Sequence, residues 1–392
     1  MILILTQTRL WLRRLERQIM KIVSARFSLL CFLMLFPLIS CTSDKQSDSF
    51  DNCKVEFAYV DLDGNIYSSD VCKRDLVQLT TDARMEKKDV YILPPDGWST
   101  NGDEMLALNA GVAYLINIKQ GSINEIGLAE RVKWSPTDLY ILLIQEDKFT
   151  VYKRDTLEVV YQVAGYAPSW IDDKKIIFVT TDYTGDIPRI YDLSIVDIEN
   201  SNVSLVGDLY TSGGVPFQSS VSQSGRYSYF FSPLGEFSRN FVIVDLLEKT
   251  RIENSFVHLN SITSIGWVPN EDKLMLCYGY VSLFAPDSSD EYIHLPNQEC
   301  WMGGRISWDS MGTHFSYLVP DGRVIKIIDS KEMSVEHEIE WIREKPGGTI
   351  DGPYLSPDGA YVTVLFDGEI KVHSLTGTIV FTSSGSDFEW RP

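Results

Sequence analysis

The sequence predicts an all-β fold, a closed β-propeller, on three observations. A Trp/Ser turn recurs at Trp98, Trp134, Trp170, Ser222, Trp267, Trp308, Ser356 and Trp390, at intervals of 34 to 52 residues. Each turn but the last is followed by short apolar strands rich in Val, Ile, Tyr and Phe and bounded by Gly, Asp, Asn and Pro. The two ends of the repeating region each carry a fragment of one unit, and the fragments complete each other. A unit of about four antiparallel strands cannot bury both of its faces alone. Packing such units radially does so, whereas a solenoid would have shorter repeats and a sandwich would not repeat its turn.

The first forty residues are of another character. From Met20, Lys21 and Arg26 precede the apolar run "FSLLCFLMLFPLI", which is too short to span a bilayer comfortably and reads as a secretory signal. Residues 1–19 stand ahead of Met20 as an alternative start. The signal segment 1–40 ends in Leu38-Ile39-Ser40-Cys41, which resembles the bacterial lipobox. That resemblance implies lipidation of Cys41 and cleavage just before it. More than one acyl chain makes such an anchor stable, at roughly 0.8 kcal/mol per buried methylene. Thr42 stands where inner-membrane retention typically has aspartate, so the expected location is the outer membrane, facing the periplasm. The alternative is an ordinary cleaved signal with an incidental cysteine.

Residues 41–53 form a polar tether, and 54–392 the propeller. Six Lys/Arg and one acid fall in residues 1–40, so the rest is more acidic than the overall net charge of −19. Such a surface repels nucleic acid and anionic headgroups; the lipid must supply the membrane contact.

Within the propeller, the strands after successive turns include "EMLALNA", "LYILLI", "KIIFVT", "YSYFFS", "KLMLCYG" and "AYVTVLF". Second strands follow, such as "VAYLINI", "FVIVDL" and "EIKVHS", and a shorter last strand closes many units. Seven units start at 98, 134, 170, 222, 267, 308 and 356. The eighth starts at 390, and its later strands lie at 54–80, which lack a preceding turn. Joining "DFEWRP" to "CKVEFAYVDLDGNIYSSD" therefore makes one blade from both ends, and such closure removes open sheet edges. Eight blades are expected; seven is the alternative, because 170–222 is long and irregular.

Ser356-Pro357-Asp358-Gly359 before an apolar strand, with "GEIKVHSLTGTIVFT" behind it, resembles the repeat of TolB-type propellers, as does "FAYVDLDGNIYSSDVCKRDLVQLT" at 57–80. The resemblance covers residues 54–392 and implies fold more than function. The chain departs from TolB itself, which has a separate α/β domain and no lipid anchor, and it has no hydrolase domain of the prolyl oligopeptidase type.

Of six cysteines, Cys31 lies in the signal segment. Around the turn Asp61-Leu62-Asp63-Gly64, a hairpin with Val60 opposite Asn65 would set Cys53 opposite Cys72, a disulfide suited to an oxidising compartment. Cys277 and Cys300 fall in one blade, as a second disulfide or as two buried thiols. Asp61 and Asp63 read as a hairpin turn, since no third ligand or distal Glu continues an EF-hand spacing. The histidines, His258, His294, His314, His337 and His373, stand in no recognised metal spacing, so neither metal nor cofactor is expected. No Gly-x-Ser-x-Gly elbow, P-loop or dinucleotide fingerprint is present.

Three long connections, 181–189, 232–240 and 279–291, read as links between second and third strands and would form one lip carrying Tyr183, Phe237, Tyr280 and Phe284. Alternatively these aromatics fold back over their own blades. The leading expectation is a lipid-anchored, non-enzymatic module that binds another envelope protein. The rival is an enzyme (lyase or hydrolase) or glycan-binding protein using the central funnel, which would need His, Arg and acidic side chains to converge at one mouth.

Overall fold

The chain divides into two units, 1–52 and 53–392. The computed structural model describes residues of the second: 55–72, 75–83, 90–181, 189–211, 216, 218–233, 239–252, 264–277, 279–287, 293–300, 305–340 and 350–392. Among them every regular element is a strand, and the strands form eight four-stranded antiparallel sheets, the blades of an eight-bladed propeller. The first strands of successive blades are Tyr91–Ile92, Arg131–Trp134, Tyr166–Trp170, Gln218–Val221, Ser264–Trp267, Ser307–Trp308, Ile350–Leu355 and Asp387–Trp390. The first strands of the third and fourth blades pack on one another, as do those of the sixth and seventh.

The turn after each first strand has a repeated physical basis. In four blades a serine, Ser99, Ser135, Ser222 or Ser356, accepts on its hydroxyl the backbone N–H five residues on, and donates its own N–H back to that residue's carbonyl. The third residue after it takes a positive φ: Gly102, Gly225 and Gly359 at +68°, +76° and +70°, and Asp138 at +60°. Asp tolerates this left-handed region better than most side chains because its short polar group bonds locally. The sixth blade builds the turn differently: Asp309 holds the serine position, its carboxylate accepting the N–H groups of Thr313 and His314. Neighbouring turns are also linked, Thr100 to Asp138 and Thr137 to Asp173 through backbone and hydroxyl together.

The core lies between blades, and strand alternation sends successive residues to different neighbours. In the eighth blade Phe57 and Tyr59 join Tyr354, Leu365, Val372 and Phe381 of the seventh. Ala58 and Val60 join Tyr91, Trp98 and Met105 of the first.

That eighth blade is made from both ends, in the order Asp387–Trp390, Glu56–Val60, Ile66–Asp70, Val77–Gln78. Phe57 pairs with Trp390 and Val60 with Asp387. Arg391 ties the junction by ion pairs to Glu56 and to Asp103 of the first blade. The expected hairpin register is corrected by one residue: Val60 faces Ile66 and Glu56 faces Asp70. The loop holds three residues, Leu62 to Gly64, with Gly64 at φ +88° and its N–H on Asp61 O. A side chain on Gly64 would also strike Val90, whose Cγ1 lies 2.1 Å from where its Cβ would sit. A turn with one residue in the left-handed region adds a residue to the loop and shifts the ladder.

Candidate functional site: the charged mouth of the funnel

First strands alternate like the others, but only one face can enter the core. In Asp387–Trp390, Phe388 and Trp390 are buried among the aromatics of the seventh and eighth blades. Asp387 and Glu389 point the other way, toward the first blade. The Leu93 N–H donates to Asp387 Oδ2 at 2.7 Å, and the Asp96 N–H donates to Glu389 Oε1 at 3.1 Å. In Arg131–Trp134 the same alternation buries Val132 and Trp134 and leaves Arg131 and Lys133 half-buried.

These carboxylates border a cavity of about 530 Å³ whose wall includes Tyr91, Arg305, Asp351, Tyr354, Asp387 and Glu389. A second cavity, about 420 Å³, shares Tyr354 and Glu389 with it and runs toward Asp96, Trp98 and Trp308. Asp351 is the hub of the wall: Arg305 Nε lies 3.1 Å from its Oδ1, and the Tyr354 hydroxyl donates to its Oδ2 at 2.7 Å. The Arg305 guanidinium also lies 5.2 Å from the centre of the Tyr354 ring, in cation–π range.

Enclosure by the blades makes ionisation costly here. Burial pushes the Asp387 carboxyl up to about 6, partly offset by the N–H groups of Leu93 and Phe388 and by Arg305. Burial raises Glu389 well above the usual carboxylate range, and Asp96 and Asp387 add to the effect. Burial likewise lowers the Lys133 ammonium to about 8, with Arg131 adding to the shift and Asp96 opposing it. Burial holds the Tyr354 hydroxyl in its protonated form, so it is a donor throughout the physiological range. The mouth thus carries three carboxyl groups around one guanidinium, with two of them inclined to take a proton or a cationic partner.

None of these residues was singled out in the sequence. The signal was there in "RVKW" and "DFEW", where charges stand one and three positions before a turn tryptophan. A first strand with one apolar and one charged face turns only the apolar one into the core between blades.

The expected site residues are placed as follows. Cys277 and Cys300 form a disulfide, both buried, with Cα atoms 6.1 Å apart. Cys72 is disulfide-bonded; Cys53, its expected partner, lies outside the described residues, as do Cys41, Tyr183 and Phe237. Tyr280 is 49% exposed, but Phe284 is only 4% exposed. The expected third lip loop is corrected: Tyr280–Phe284 is the third strand of its blade, paired with Leu274–Cys277. The long connection there follows the third strand and so leaves from the opposite sheet end to 182–188 and 234–238. Phe284 packs with Tyr229, Phe231 and Leu274, because alternation turns its side chain into the core.

No family model matches the sequence, and no curated protein matches it. Solved structures do share the fold. Dihydro-heme d1 dehydrogenase NirN in complex with DHE is 13% identical, with 86% of this chain and 74% of that one covered and a TM-score of 0.59. The C-terminal WD40 domain of Sif2 is 15% identical over 80% of this chain and 90% of that one, at 0.56. An oligogalacturonate lyase in complex with manganese is 13% identical over 79% and 92%, at 0.50. At these identities the likeness is one of fold.

Proposed function

We propose that this chain is a lipid-anchored protein of the bacterial cell envelope, on the outer membrane facing the periplasm. Its TolB-like propeller acts as a binding module that takes a basic group of a partner protein into the charged funnel mouth. The observation that carries the reading is the convergence of Asp351, Asp387 and Glu389 from two blades on one cavity. A guanidinium or ammonium entering there would ionise Asp387 and Glu389 and recover the cost of their enclosure, which an uncharged ligand cannot do. The lipobox at 38–41 and the acidic propeller support the anchoring and the basic partner.

The test is crosslinking of the intact protein in its own membrane, native against an Asp387→Asn/Glu389→Gln variant. The native protein should capture a discrete partner, with capture falling at least tenfold in the variant; equal capture by both refutes the assignment.

One observation favours a second reading, an enzyme or glycan-binding protein acting through the same funnel. A carboxyl at about 6 is matched to proton transfer near neutral pH, and Tyr354 offers an aromatic wall beside it. Two neighbours in fold were solved with a bound group, DHE in one and manganese in the other. On this reading Asp387→Asn loses turnover or binding of an oligosaccharide and keeps the protein partner.

A further inference from the structure

The sixth blade carries a second cluster of polar side chains, none of which lines the two funnel cavities. Its outer strands are His314–Leu318, Val324–Asp329 and Ser334–Glu340. His314 stands directly opposite Asp329, and Asp329 opposite Ser334. A β-bulge then intervenes: Ile328 pairs with Val335 and Ile327 with His337, leaving Glu336 as the extra residue. Glu336 follows Ser334 by two residues and so shares the face of His314 and Asp329, and the bulge brings the next residue, His337, onto that face as well, opposite Ile327. One ligand atom from each of the three lies within 4.8 Å of the others, and His314 Nε2 is 2.9 Å from Glu336 Oε2. His337 Nε2, on the same face by register, is 3.8 Å from Glu336 Oε1.

The support behind these groups is what distinguishes them from a surface charge cluster. His314 Nδ1 lies 2.9 Å from Oδ2 of Asp309, a carboxylate only 3% exposed. Asp309 itself is fixed by the Thr313 and His314 N–H groups and by the Thr313 hydroxyl. The turn of the seventh blade closes over the pair: a Cβ on Gly359 would come within 3.4 Å of Asp309 Oδ2 and 3.5 Å of His314 Nδ1. A buried carboxylate on Nδ1 selects the tautomer that presents the Nε2 lone pair outward, the arrangement behind most metal-binding histidines. Asp329 is held in the same way, its Oδ1 accepting the Lys331 and Glu332 N–H groups at 2.9 and 2.7 Å, which leaves Oδ2 for a ligand.

We propose that His314 Nε2, Asp329 and Glu336 form a divalent transition-metal site, with Asp309 as the residue that orients His314. One imidazole nitrogen with two carboxylates suits Zn²⁺ best, with water or His337 completing four-coordination. The two carboxylates neutralise the ion, and the ion removes their mutual repulsion. Bound there, it clips the three outer strands of the sixth blade together, beside the turn of the seventh.

The experiment is calorimetric titration of Zn²⁺ into the untagged full chain, with the visible absorption of Co²⁺ as the readout of coordination. One saturable equivalent is expected, and Glu336→Gln and Asp329→Asn should each weaken binding by about tenfold or more. Both positions are at the surface, so folding is checked by an unchanged circular dichroism spectrum. Asp309→Asn should weaken Zn²⁺ without touching it and alter the Co²⁺ bands. The absence of saturable binding, or equal affinity in Glu336→Gln and Asp329→Asn, overturns the site.

Discussion

The two faces of the strand Asp387–Trp390 do opposite things. One face sends Phe388 and Trp390 into a dense aromatic cluster, Phe388 at 5.0 Å from both Phe57 and Trp390 by ring centres. The other holds Asp387 and Glu389 against the first blade, where burial opposes their ionisation. The first face closes the ring; the second carries carboxyl groups whose ionisation costs stability. A two-residue period lets four residues serve both ends at once, because adjacent side chains never share an environment.

The largest effect should come from removing the strand altogether. Deletion of 386–392 takes away the first strand of the eighth blade and its pairing with Phe57 to Val60, and so opens the ring. Loss of the cooperative thermal transition is expected by circular dichroism; an unchanged melt would break the closure argument. Next in size is the apolar face alone. Phe388→Ala leaves a cavity in a side chain 1% exposed and should cost about 3–5 kcal/mol in denaturant unfolding.

Smallest, and opposite in sign, is the charged face. The folded-state value of Asp387, about 6, lies above its ordinary one, so the folded protein binds more protons than the unfolded chain between about pH 4 and 6. Its contribution to stability is therefore fully present below that window and lost as pH rises through 6. Asp387→Asn should flatten this part of the stability–pH curve and leave the variant no less stable than the native protein at pH 7. A variant that keeps the native slope would show that the cost lies elsewhere in the mouth.

Much of the architecture was legible because it is local and repeated. The Trp/Ser turn and the apolar strand behind it recur from unit to unit, so eight blades and the split closing blade could be read without any long-range contact. That Cys277 and Cys300 share one unit left open a disulfide or two buried thiols, and the structure joins them. The hairpin register at Asp61–Gly64 differs by one residue from the expected one, since an Asp-Gly turn admits loops of two or three residues and the local sequence does not choose between them. The third lip loop was misplaced because "YVSLF" was read as loop, although its apolar character already fits a strand.

What the sequence determined by itself is the alternation within each strand and the count of blades, both consequences of local periodicity. Which charges meet was decided by the tertiary structure alone. Arg305, Asp351 and Asp387 come from three blades, and the Leu93 N–H reaches Asp387 across 294 positions. His314, Asp329 and Glu336 converge through the register of three strands rather than a spacing. A strand specifies the direction of its side chains, but closing the ring determines what stands opposite them.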